Sequence, residues 1–359
     1  MNAHPIAEQA ALGSLLLDSR LMPEVTPWLR PGDFAEPWHR EVYTAMRECH
    51  AAGVDGGAVA VGRHLLARLG PSRADLPRIV DLLRAAPPRP DPLAYAALVL
   101  EASLRREVGG VGVLLRAGAT AAVVEVTSTP MLSAAATVDG LLDAAAVRWR
   151  AATGEGRSPR AGVTGTAGVL SRCVAADRYL QAHPDPGHHE VADREADLLA
   201  CLLAKPAHLT TFAPWLETLR LSGSWHPIQQ AMLGLYEHGA QVDPVTVLAE
   251  AARRPGEGAP GATEVLARVE AVASFHPAYL AQLVAADQLL ASAGHAAAEL
   301  CAVAADLETG VPEILNRGRE LTASLRRVSA PLEAEPRART AVVHHLPTRQ
   351  AHRAGPVAG

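Results

Sequence analysis

Four of the chain's five tryptophans fall into two pairs separated by one interval. Trp28-Leu29 recurs as Trp215-Leu216, and Trp38-His39 recurs as Trp225-His226, both 187 positions on. Pro27 and Pro214 share that offset, as do Glu8 and Glu195, Leu12 and Leu199, Leu15 and Leu202, and Leu16 and Leu203. Farther along, Tyr95-Ala96-Ala97-Leu98-Val99 resembles Tyr279-Leu280-Ala281-Gln282-Leu283-Val284, at an offset of 184 or 185. A chain built this way reads as one supersecondary unit used twice. Any fold proposed for one half must also serve the other.

The periodicity within each half is helical. Trp38, Val42, Ala45, Met46 and Cys49 share one helix face, and Trp225, Ile228, Met232, Leu235 and Tyr236 do the same. Ile6–Leu17 and Glu195–Leu203 read as opening helices. Asp91-Pro92 supplies an N-cap and a proline at the first helical position. The long helix it opens runs through Tyr95, Leu98, Ala102 and Leu104 toward Val113–Leu115, with Gly109-Gly110 as its expected break. Phe275-His276-Pro277 opens the matching helix. Trailing helices are predicted over Met131–Arg150 and Val311–Arg327. Alanine and leucine dominate, aromatics make up 4%, and no run of alternating β-branched residues stands out. The expected fold is all-α: two tandem small helical bundles, at 1–150 and 190–330, each with a trailing helix. Five glycines among Thr, Ser, Pro and Arg mark Ala151–Gly168 as linker, and His183–His189 is a second irregular stretch. The linker is therefore drawn over 151–189, with room for a short helix. Pro331–Gly359, rich in Pro, Arg, His and Ala, reads as a disordered tail.

Of 33 basic residues, Lys205 is the single lysine, and it precedes Pro206 with no glycine-rich loop before it. A phosphate-binding P-loop needs a lysine preceded by glycines and followed by Ser or Thr. These 359 residues contain no such pattern. Net charge is −5, so the surface as a whole is not a nucleic-acid magnet. The first residues lack a signal peptide's basic and apolar segments. Leu221–Tyr236 and Ala271–Ala286, the longest stretches free of acidic and basic residues, fall short of a bilayer span. Cys49, Cys173, Cys201 and Cys301 show neither zinc-ligand spacing nor a disulfide framework. The expectation is a cytoplasmic protein with reduced, mostly buried thiols and no membrane contact.

No reacting constellation emerges, so no catalytic, metal or cofactor residues are assigned. Trp38 and Trp225 fit a partner's hot spot, but their helical spacing favours the core. His39 and His226 stand at helix starts with no nucleophile beside them, which favours a structural hydrogen bond. His188-His189-Glu190, read as linker, and His344-His345 lack the i, i+4 spacing of a helical metal site. Asp33 and Glu36 read as turn carboxylates that cap the following helix. Two arginine groups remain. Arg148, Arg150, Arg157 and Arg160 border the linker, and Arg337, Arg339, Arg349 and Arg353 lie in the tail. They are read as solvated, with weak DNA contact as the alternative.

Glu8-Gln9-Ala10-Ala11-Leu12-Gly13-Ser14-Leu15-Leu16-Leu17-Asp18 resembles the opening of the N-terminal domain of DnaB-like replicative DNA helicases. So do Leu29-Arg30-Pro31-Gly32-Asp33-Phe34, Trp38-His39-Arg40-Glu41-Val42-Tyr43-Thr44-Ala45-Met46, and Gly53 with Asp55. The likeness covers Ile6–Arg106. The second half is a weaker copy. It keeps Trp225-His226, Met232, Leu235-Tyr236-Glu237-His238-Gly239 and Val242-Asp243-Pro244-Val245-Thr246-Val247. It has Arg220-Leu221 where the first has Asp33-Phe34, and Pro227 where the first has Arg40 next to histidine. The resemblance implies a small helical bundle that helps a hexamer form its collar and meets a primase. In the family, a linker helix then leads into an ATPase motor. Here a second bundle follows instead. The resemblance therefore points to a non-catalytic interaction module, whose partners would be a replicative helicase, a primase or itself. A DNA-binding regulator and a split helicase subunit are the alternatives.

Overall fold

The computed structural model describes residues 4–155, 169–219, 221, 224–253 and 259–333. Among them are fifteen α-helices and no strand. In chain order these are α1 (His4–Leu17), α2 (Met22–Val25), α3 (Pro37–Ala51), α4 (Ala58–Leu69), α5 (Leu76–Ala85), α6 (Pro92–Glu125), α7 (Thr129–Ala152), α8 (Val169–Ala182), α9 (His188–Ala204), α10 (Leu209–Leu216), α11 (His226–Glu237), α12 (Pro244–Ala251), α13 (Ala262–Val272), α14 (Pro277–Ala305) and α15 (Val311–Ser329). The tail beyond residue 333, with His344, His345 and its four arginines, lies outside the described residues, as do Arg157, Arg160 and Arg220.

Two apolar cores form. One gathers α1 to α7 around Leu12, Phe34, Tyr43, Met46 and Leu100, and extends to Leu289, Leu300, Ile314 and Leu325 of α14 and α15. The other holds Leu199, Leu216, Trp225, Met232 and Val265, together with the start of α14. The hairpin of α6 and α7 thus packs directly on the hairpin of α14 and α15, and α6 meets α14 more extensively than any other pair of helices meets.

Sequence chemistry accounts for the long helices' ends. The Asp91 carboxylate accepts the Ala94 N–H at 3.1 Å at the start of α6, and the His276 ring accepts that of Ala278 at the start of α14. The expected break at Gly109-Gly110 does not occur, and α6 runs unbroken for 34 residues. Its glycines serve the helix crossing instead. A Cβ at Gly112 would lie 2.8 Å from the Ala297 backbone, and one at Gly109 would touch Ala304. A Cβ at Gly118 would strike Ala134 of α7.

Two further expectations are corrected. His188 and His189 open α9 rather than lying in the linker, whereas α8, packed on α6, is the short helix for which the linker left room. Helices α6 and α7 are also long and apolar enough to cross a membrane by length and composition. Charged residues such as Glu107 and Arg116 interrupt the apolar run of α6, so it does not stand out as a charge-free stretch. Half of the most apolar window of α6 is buried within the protein.

Candidate functional site

The segment linking α2 to α3 turns tightly at Pro31–Asp33 and is anchored by buried charges. Asp33 does not cap α3. Its carboxylate turns inward, accepts the Arg30 N–H at 2.6 Å and the Ser103 hydroxyl of α6 at 2.8 Å, and pairs with Arg148 of α7. Arg148 is therefore no linker arginine. It is 1% exposed and also donates to the Trp28 carbonyl at 3.0 Å. Glu107 of α6 stands 3.5 Å from the same guanidinium. Burial pushes the Glu107 carboxyl above its usual range, against the pull of Arg148. Arg106 donates to the Asp33 carbonyl. This network fixes the α6–α7 hairpin relative to α1–α5. Asp33 is committed to protein partners, so its part in the network is to hold geometry.

A second buried pair sits beside it. Glu8 of α1 lies 2.7 Å from the His39 ring of α3, both nearly inaccessible. Burial opposes the charge on Glu8. The His39 hydrogen bond and those from the Ala35 and Glu36 amides outweigh it and hold the carboxyl below its usual range. His39 is thus a tie between helices. His226 instead meets Gln229 and Gln230 on its own helix, and Glu195 meets Gln288. Trp38 and Trp225 are both buried. The Arg78 guanidinium lies 4.3 Å from the Trp38 ring centroid, and that of Arg268 lies 5.9 Å from Trp225. Glu36 pairs with Arg78 and makes no cap.

The hairpin joint has its own polar fittings. Arg105 of α6 is 7% exposed and donates to the Asp306 and Thr309 carbonyls, both at 2.7 Å, just past the end of α14. This places a cation where the α14 carbonyls lack helical partners. Arg319 and Arg326 of α15 pair with Asp143 and Asp139 of α7. Of the cysteines, Cys49 and Cys201 are buried, Cys173 is partly so and Cys301 is exposed; all four are free thiols. The expectation of mostly buried thiols thus holds for only two. Lys205 donates to the Phe275 carbonyl.

Sequence reasoning missed Arg105, Glu107 and the role of Arg148. A signal for Arg148 was available. Met131, Ala135, Val138, Leu142 and Ala145 mark the buried face of α7, and a further step of three reaches Arg148. Arg105 carried no comparable signal, because its partners are main-chain carbonyls 201 and 204 positions away.

Residues 1–101, which span α1–α5 and the start of α6, match the family model described as the DnaB-like helicase N terminal domain. A similar protein is the replicative DNA helicase DnaB of Mycobacterium leprae (strain TN), 34% identical over 107 residues. The alignment covers 28% of this chain and 17% of that relative. No solved structure matches the chain.

Proposed function

We propose, from the match of residues 1–101 to the DnaB-like helicase N-terminal domain, that this chain is a non-catalytic, cytoplasmic, replication-associated module that works by binding other proteins. That match carries the reading. Two further features support it. These 359 residues offer no P-loop lysine to hold β- and γ-phosphates. The longest helices are committed to helix–helix contact.

The module is a tandem one. Glu8 and Glu195 are both buried on α1 and α9, and Trp38 and Trp225 are both buried under an arginine. The helices also follow one another in the same order in the two halves. In this reading the second half is a divergent copy, and the α6–α7 and α14–α15 hairpins make an intramolecular pair. The partner is a replicative helicase or its primase.

Size-exclusion chromatography with light scattering tests this, first on the protein alone and then mixed with the host's replicative helicase and primase. A defined complex is the expected result. Independent elution of all components at micromolar concentration overturns it.

A further inference from the structure

On the sides of α4 and α5 turned away from the core, apolar side chains stand exposed that no element among the described residues covers. On α4, Val59 is 77% exposed and Leu66 is 36% exposed, seven positions apart. On α5, Leu76 and Val80 are 37% and 46% exposed. Gly62, between Val59 and Leu66, joins the two rows. A Cβ there would lie 3.3 Å from Leu76 and 3.5 Å from Ile79, so α5 lies close against α4 and Leu76 reaches across it. Val59 and Leu66 flank Arg63 on α4, and Leu76 and Val80 stand one turn apart on α5, the two helices meeting at Gly62.

The charges around it are unbalanced. Arg63 is exposed on the same stripe of α4 as Val59 and Leu66, and Arg73 is exposed in the turn before α5. The acids nearby already have partners. Glu41 and Glu48 hold Arg68, Glu36 and Asp75 hold Arg78, and Asp81 holds Arg84. Among the described residues, Arg63 and Arg73 have no ion-pair partner.

We infer that the α4–α5 face is a docking site for an acidic amphipathic helix of a partner protein. Its apolar stripe would lie across Val59, Leu66, Leu76 and Val80, with carboxylates facing Arg63 and Arg73. Apolar anchors from two packed helices suit a helix in a groove, and the surplus of positive charge selects an acidic flank. The site is separate from the buried networks and from the hairpin joint. The inference does not depend on which protein carries the helix.

Fluorescence anisotropy on the full chain tests it with two labelled peptides of about 18 residues, five helical turns. Both carry the same leucine stripe, one flanked by glutamates and the other by lysines. At about 50 mM salt, where surface charges are weakly screened, the glutamate peptide should bind about tenfold more tightly than the lysine peptide. The double variant Arg63→Glu with Arg73→Glu should invert that preference. Val59→Ser with Leu66→Ser should weaken the glutamate peptide about tenfold, while Val245→Ser in the other half leaves it unchanged. Circular dichroism confirms that each variant folds. Equal affinity for the two peptides, no binding of either, or an unchanged preference after charge reversal overturns the inference. Binding of phosphatidylglycerol vesicles or duplex DNA that is lost in the charge-reversed variant, without peptide binding, overturns it in favour of a lipid or nucleic-acid surface.

Discussion

Arg148 shows how much one side chain can hold together. It reaches from α7 to Asp33, the Trp28 carbonyl and the neighbourhood of Glu107, all within the protein. Removing one member of a buried ion pair strands the others without water. Arg148→Met should therefore cost about 3–5 kcal/mol in urea unfolding. Asp33→Asn combined with Arg148→Met should cost clearly less than the sum of the two single changes, because they share one network. The Glu8 pair sets a pH dependence. The Glu8 carboxyl sits below its usual value near 4.5 when folded. Its contribution is therefore fully present above that value and is lost as pH falls through the lower folded value. Glu8→Gln should destabilise the protein by about 1–3 kcal/mol at neutral pH, since a buried charged hydrogen bond is lost. Its stability should then fall less steeply between about pH 5 and pH 3, as followed by thermal melts across that range.

Among the helices, the glycines of α6 separate two effects of one substitution. Gly112 faces the α14 backbone, so Gly112→Ala must push Ala297 aside and should cost about 1–3 kcal/mol. Gly110 is exposed with nothing within 4 Å of its missing Cβ, so Gly110→Ala should stabilise by about 1 kcal/mol through helix propensity. A comparison of the two melting temperatures checks the contrast. The same helix shows what the sequence could reveal. Its start was legible because Asp91-Pro92 is a local signal, and the buried face of α3 was legible because Trp38 through Cys49 keep helical spacing. Local propensity reads the glycines as a break because it cannot see the helix that packs against them. The α6–α14 register was equally hidden: Gly, Ala and Cys at a close crossing give no amphipathic stripe. Of the candidate site, the burial of Trp38 follows from periodicity and a structural hydrogen bond for His39 from its place at a helix start, but its partner Glu8, 31 positions away, does not. The glycine-rich stretch beside Arg148 suggests solvent, whereas its helical phase on α7 points inward.

For the whole molecule, the hairpin joint is mainly apolar. Leu289, Leu300, Ile314 and Leu325 enter the core of the first half, whereas pairs such as Arg319–Asp143 are partly exposed and each contribute only about 0–1 kcal/mol. A protease site inserted between residues 156 and 168 should thus yield a nicked protein whose halves still co-elute in about 1 M salt, where ion pairs are screened. Separation of the fragments on that column would refute a joint held by apolar packing.

The joint also imposes an order of events on the ribosome. Gly112 is made 185 residues before Ala297, the neighbour it is shaped to receive. At about 5–20 residues per second, the face of α6 waits roughly 10–40 s for its own α14. Throughout that interval the Gly109 and Gly112 side of α6 has no α14 of its own chain to cover it. The last helix hairpin therefore completes a surface that the first has held open since early in synthesis.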